Sequence, residues 1–73
     1  MTKKEMRHLL DSVISGYEGY RVDFRPEQFV RLYSDNNVFT ASMINRAFTY
    51  ARLYFIGIRT DLDGKTYMLF SYL

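Results

Sequence analysis

The chain has 73 residues, with 10 Lys and Arg, 8 Asp and Glu, one His and no Cys, and its formal net charge is +2. This length predicts one domain over residues 1–73, and the absence of cysteine excludes a disulfide framework, thiolate catalysis and a zinc finger. No apolar stretch reaches the length of a membrane span and no signal peptide is indicated, so we expect a soluble cytoplasmic protein.

The first predicted element is a helix over residues 2–16. Its apolar residues recur at the spacing of one helix face and are Met6, Leu9, Leu10, Val13, Ile14 and Tyr17. Thr2 and Glu5 have the spacing of a capping box, and Gly16 suits the position just after a helix.

A short strand and a second helix are predicted next. Tyr20, Val22 and Phe24 alternate with charged residues, which indicates a half-buried strand over 20–24. Pro26 suits the first position of a helix, because its missing N–H needs no partner there. That helix is expected to end in the turn-forming run 34–37.

A third helix is predicted from Thr40, whose hydroxyl can cap it. The apolar stripe expected to face the core is Ile44, Ala47, Phe48 and Ala51. The opposite, polar stripe is Ser42, Asn45, Arg46 and Thr49. On spacing alone, this polar stripe is either a solvated surface or a binding face.

The remaining residues predict a β-hairpin. Segments 54–60 and 66–72 are rich in β-branched and aromatic residues, and Asp63-Gly64 between them is a hairpin turn signal. The hydrophobic residues 70–73 are predicted to form either a dimer or partner contact or a central strand covered within the monomer.

This order of elements resembles the winged helix-turn-helix family over nearly the whole chain. Residues 26–53 are similar to the family's helix-turn-helix, residues 54–73 to its wing, and 20–24 to the strand that pairs with the wing. The resemblance implies an α+β winged helix-turn-helix fold whose third helix lies in the major groove of double-stranded DNA. The DNA-binding residues it implies are Ser42, Asn45, Arg46, Thr49, Tyr50, Arg52, Arg59 and Lys65.

The charge distribution agrees with this hypothesis over most of that region. Residues 36–60 contain three arginines and no acid, whereas residues 1–35 contain six bases and six acids. The positive excess therefore falls on the predicted recognition helix and the strand after it. Asp61 and Asp63 argue against entry of the hairpin loop into a groove, since phosphate would repel them.

Two functions follow from the sequence. The first is a small DNA-binding transcriptional regulator of the type that phages and mobile elements encode, acting as a homodimer. The alternative is a winged-helix protein-interaction module, such as an inhibitor, an antirepressor or a complex subunit. The many Tyr and Phe favour this alternative, in which Tyr50, Tyr54 and Phe55 would matter most.

Catalysis is not expected. His8 lies between Glu5 and Asp11 at helical spacing, and a solvated helix surface explains this group without a metal. The loop at Asp61 and Asp63 lacks the further ligands of a calcium loop. We therefore expect no enzyme activity, no metal and no cofactor.

Overall fold

The computed structural model describes residues 2–13, 19–35 and 38–72. These residues form α1 (Lys3–Val13), β1 (Tyr20–Arg25), β2 (Phe29–Ser34), α2 (Ala41–Ala51), β3 (Tyr54–Thr60) and β4 (Thr66–Ser71). The strands form one antiparallel sheet in the order β1-β2-β4-β3, which makes β1 and β3 its edges. The chain thus passes twice through a helix followed by a hairpin.

The first helix begins as predicted. The hydroxyl of Thr2 accepts a hydrogen bond from the backbone N–H of Glu5 at 3.1 Å and donates one to the Glu5 carboxylate at 3.2 Å. Met6 and Leu10 are buried against the sheet. The predicted cap at Gly16 and the predicted apolar residues Ile14 and Tyr17 lie outside the described residues.

The predicted helix after Pro26 is wrong. Residues 26–28 form a tight turn between β1 and β2, with Arg25 paired to Phe29 and with Glu27 and Gln28 at φ values of 63° and 66°. A short apolar run fits helical and strand periods equally well. Residues 29–34 form a strand because β2 pairs with β1 on one side and with β4 on the other.

The winged helix-turn-helix fold is therefore also wrong. That fold requires three helices, and the described part of the chain contains two helices and a four-stranded antiparallel sheet. The fold class is α+β, but no helix-turn-helix is present within the described ranges, because α2 follows a hairpin.

The second helix has its predicted start. The Thr40 hydroxyl accepts a hydrogen bond from the backbone N–H of Met43 at 3.3 Å. The helix is rotated from the predicted orientation, however. Ala47 and Ala51 are buried as expected, but Phe48 is 45% exposed and Met43 occupies the core instead.

The C-terminal hairpin is confirmed, with a register shift between Phe55 and Gly57. It does not project as a wing, because β4 also pairs with β2 and is a central strand of the sheet. Phe70 is fully buried, so its side chain cannot form the predicted dimer or partner contact. β4 is a central strand, as the alternative predicted, but the helices cover only one of its faces, and Leu73 lies outside the described residues.

The core lies between the helices and one face of the sheet. The residues of this cluster are Met6, Leu10, Val30, Leu32, Ala47, Ala51, Leu53, Met68 and Phe70. Since side chains alternate along a strand, the intervening residues of β2 and β4 point to the other face, which the helices do not cover. Within the described ranges, neither helix is long and apolar enough to span a lipid bilayer.

Candidate nucleic-acid interface

The residues predicted to bind DNA do not form one surface. Ser42, Asn45, Thr49 and Tyr50 are exposed and Arg46 is half-buried on α2, which lies on the helical side of the sheet. Arg59 is the cross-strand partner of Tyr67. In the same strand, Met68 and Phe70 face the core on the helical side of the sheet. Arg59 therefore lies on the opposite side of the sheet from α2.

The two other predicted residues occupy structural positions. Arg52 ends α2 in the left-handed conformation, with φ 56°, and its backbone N–H donates to the Phe48 carbonyl at 3.1 Å. The backbone N–H of Lys65 donates to the Asp61 carboxylate at 2.9 Å. Both side chains are exposed. The backbone of each residue nevertheless has a structural role, at the end of α2 for Arg52 and in the hairpin loop for Lys65.

The face of the sheet turned away from the helices, which we call the open face, consists of three cross-strand rows. In the order β1, β2, β4, β3, the first row is Arg21, Tyr33, Tyr67 and Arg59, and the second is Asp23, Arg31, Leu69 and Gly57. The third is Arg25, Phe29 and Ser71, because Tyr54, the β3 partner of Ser71, packs its ring against Phe48 of α2. Four of these eleven residues are arginines and one is an acid, so the open face is basic.

The two tyrosines of the first row are covered by arginines. The Arg21 guanidinium carbon lies 4.4 Å from the ring centroid of Tyr33, and that of Arg31 lies 4.4 Å from the centroid of Tyr67. The two ring centroids are 5.2 Å apart. Both tyrosines are less than a tenth exposed. Together with Arg31 of the second row, the first row therefore presents flat cationic groups stacked on aromatic rings.

Hydrogen bonds hold this arrangement against the hairpin loop. Arg31 donates to the Tyr33 hydroxyl at 3.0 Å, and that hydroxyl donates to Asp61 at 3.1 Å. The bond to Tyr33 raises the pKa of Arg31 above its usual value. Backbone donation from Lys65, supported by Tyr33 and the amide of Asp63, lowers the pKa of Asp61, so both groups are charged at neutral pH.

A groove of about 540 Å³ opens between the first row and the hairpin loop. Its charged lining residues are Arg21, Arg25, Arg31, Asp23, Asp61 and Asp63. Asp23 is paired with Arg25 at 3.5 Å, and Asp61 accepts the hydrogen bonds just described. Two of the three carboxylates are thus engaged by the protein's own donors.

Sequence reasoning missed most of this face. Of the charged and aromatic residues in its first row and at Arg31, the predicted site included only Arg59. It did not include Arg21, Arg31, Tyr33 or Tyr67. A signal existed in β1, where Arg21 and Arg25 share one strand face. In β2 the same alternation joins Arg31 to Tyr33, but assignment of that segment to a helix concealed it.

Comparison of the chain with protein-family models, with curated proteins and with solved structures finds no match. Within the described ranges, no group of three or more His, Asp or Glu side chains is placed to hold a metal ion. The geometry of the open face is therefore the basis for a functional proposal.

Proposed function

We propose that this protein binds single-stranded nucleic acid on the open face of its sheet. The observation that carries the proposal is the first row, in which Arg21, Tyr33, Tyr67 and Arg59 cross all four strands. Outer strands of a four-stranded sheet are roughly 14 Å apart. An aromatic centre flanked by cations suits bases in the middle and phosphates at the sides.

A single strand suits this surface better than a duplex. Bases of an unpaired strand can stack on aromatic rings or on guanidinium planes, and the open face presents guanidinium planes that lie over its tyrosine rings. A duplex keeps its bases stacked inside, so the face of a sheet would contact only its phosphates.

The arginines above the tyrosines do not prevent stacking. A cation–π contact at an exposed site contributes about 0.5–1 kcal/mol, whereas a base stacked on an aromatic ring contributes about 1–3 kcal/mol. A base can therefore replace Arg21 above Tyr33. The displaced guanidinium then becomes a donor for the adjacent phosphate.

Reading of duplex DNA by α2 stays a prediction. The exposed polar residues Ser42, Asn45 and Thr49 support it. Its basis in the fold is weaker than the sequence suggested, because the segment before α2 is a β-hairpin and not the first helix of a helix-turn-helix.

Fluorescence anisotropy tests the proposal with labelled single-stranded DNA, single-stranded RNA and duplex DNA of matched length, at low and physiological salt. We expect tighter binding of a single strand, weakened by salt, and a several-fold loss in Arg59→Ala. Each phosphate contact that is lost should reduce the salt slope by about 0.7. Arg7→Ala is the control, because Arg7 is an exposed arginine that extends from α1 and covers the Phe24 ring on the helical side of the sheet.

Three results would contradict the proposal. Equal losses in Arg7→Ala and Arg59→Ala would show a general charge effect. Preference for duplex DNA with loss of binding in Asn45→Ala would favour reading by α2. No binding of any probe at low salt would reject nucleic acid as the ligand and favour the protein-interaction alternative.

A further inference from the structure

We propose that two copies of this chain associate through the edge strand β3, joining their sheets into one antiparallel sheet of eight strands. This inference goes beyond nucleic-acid binding and is carried by a different part of the molecule. β3 pairs with β4 on one side, and its other side is an edge of the sheet.

The first observation is that the β3 edge is apolar and exposed. Tyr54 and Ile58 are each 54% exposed, and Phe55 and Ile56 are exposed as well. Phe48 of α2 is exposed beside them, with its ring centroid 5.4 Å from that of Tyr54. An edge strand of this kind readily pairs with another strand, because its outward backbone groups have no partner in the sheet.

The second observation is that the opposite edge is protected. β1 places Arg21, Asp23 and Arg25 along its open side, and Arg25 is paired with Asp23. On the helical side of β1, Arg7 of α1 covers the Phe24 ring at 4.8 Å. Charged residues are a common protection of edge strands, and β3 has a single one, Arg59.

A second copy is the occupant that fits the β3 edge. The register shift lies between Phe55 and Gly57, so residues 57–60 form a regular edge segment. Antiparallel pairing about a two-fold axis at Ile58 places this residue beside its own copy. It also places Gly57, which has no side chain, beside Arg59 of the second copy.

The size of the apolar surface agrees with a dimer. A standard interface takes about 800 Å² from each partner, which is roughly one sixth of the 4890 Å² exposed by this chain. Five large side chains, exposed on β3 and on the adjoining part of α2, supply a patch on the order of that area. They are Phe48, Tyr54, Phe55, Ile56 and Ile58.

The geometry of such a dimer has a consequence for the open face. A two-fold axis that relates antiparallel edge strands is perpendicular to the sheet, so the helices of both copies lie on one side. Both open faces then lie on the other side, with Arg59 of each copy near the junction. The dimer thus presents one continuous basic surface.

Sedimentation equilibrium tests the association, in the absence of nucleic acid, over micromolar to submillimolar concentrations. We expect the wild-type chain to approach twice its 8.7 kDa mass and Ile58→Lys to remain monomeric. Val38→Lys is the matched control, because Val38 is 49% exposed and its carbonyl accepts a hydrogen bond from Tyr20 at the β1 edge. This control should dimerise as the wild type does.

Cysteine cross-linking tests the strand and its register directly, since the chain has no cysteine. Ile58→Cys should form a disulfide-linked dimer under mild oxidation, because Cα atoms of directly opposed antiparallel residues lie about 4.5–5.5 Å apart. Val38→Cys should not. A monomeric wild type at the highest concentration, or equal cross-linking of the two variants, would overturn the proposal whether or not the open face binds nucleic acid.

Discussion

At the scale of single residues, Asp61 has the most connections in the described loop between β3 and β4. One carboxylate oxygen accepts the backbone N–H groups of Asp63 and Lys65, each at 2.9 Å, and the other accepts the Tyr33 hydroxyl. This residue therefore joins the loop conformation to the first row of the open face. The sequence indicated the turn, but not the bond to Tyr33, which lies 28 positions earlier.

The lowered pKa of Asp61 makes this contribution depend on pH. A depressed pKa in the folded state stabilises the protein above the ordinary value of 3.8, and the stabilisation is lost as pH falls through the lowered pKa. We expect Asp61→Asn to lose less stability than wild type between pH 5 and pH 3, as measured by urea unfolding. Asp63→Asn, which leaves the Asp61 carboxylate in place, should retain the wild-type dependence. Identical profiles for all three proteins would contradict this role.

Arg52 shows a second requirement at the scale of one residue. It adopts φ 56°, and its N–H donates to the Phe48 carbonyl, which closes α2 in the manner of the αL motif, while the N–H of Leu53 donates to the Ala47 carbonyl. Glycine adopts this conformation without the cost of a side chain.

We expect Arg52→Gly to raise the free energy of unfolding by up to about 1 kcal/mol, measured by urea denaturation. Arg52→Lys keeps the charge and the strained conformation, so it should leave stability nearly unchanged. A destabilised Arg52→Gly variant would show that the arginine side chain matters more than the backbone conformation.

At the scale of elements, α2 shows which buried residues a helical pattern predicts correctly and which it does not. Thr40 and the two alanines were placed correctly, because capping chemistry and small residues at a close helix contact are local signals. Phe48 was not, since Met43 and Phe48 are both large apolar residues of α2, and the fold buries Met43 completely while leaving Phe48 45% exposed. Phe48 packs instead edge-on against Tyr54 at the surface.

This orientation leads to a comparison of two phenylalanines. Phe70 is fully buried, so we expect Phe70→Ala to lower the free energy of unfolding by about 3–5 kcal/mol. Phe48→Ala should cost only about 1 kcal/mol, the order of its exposed aromatic contact. Urea denaturation of both variants measures the difference, and equal losses would contradict the orientation of α2.

The run 29–34 is the element that sequence reasoning assigned wrongly. Its apolar residues satisfy a short helix face as well as a strand, and Pro26 supports either a helix start or a turn. The sheet settles the choice, because Val30 and Leu32 pair with Phe70 and Met68 in the core. No local signal contains that long-range pairing.

At the scale of the whole molecule, the open face could not be predicted from the sequence. Each row combines residues from three or four strands, and its composition depends on register between segments far apart in the chain. The alternation of polar and apolar residues within a single strand can be recognised in the sequence, but the order of the strands in the sheet cannot. The α+β class and the C-terminal hairpin were accessible because periodicity and turn chemistry are local.

Hydrogen exchange should report the different positions of the strands. Amides of β2 and β4 pair on both sides and should exchange most slowly, while those of β1 should exchange faster. If β3 pairs with a second copy, its outward amides should be protected in the wild type and exchange faster in Ile58→Lys. Equal exchange of β3 in the two proteins would contradict the joined sheet.

The strand order also has a consequence for how the chain folds. β1 with β2 and β3 with β4 are hairpins between neighbours, and their turns can close early because few residues separate the strands. The pairing of β2 with β4 joins segments about half the chain apart, and it brings the two hairpins together. Loop-closure entropy opposes this step most strongly, so the rate of folding should depend chiefly on when Leu32 meets Met68.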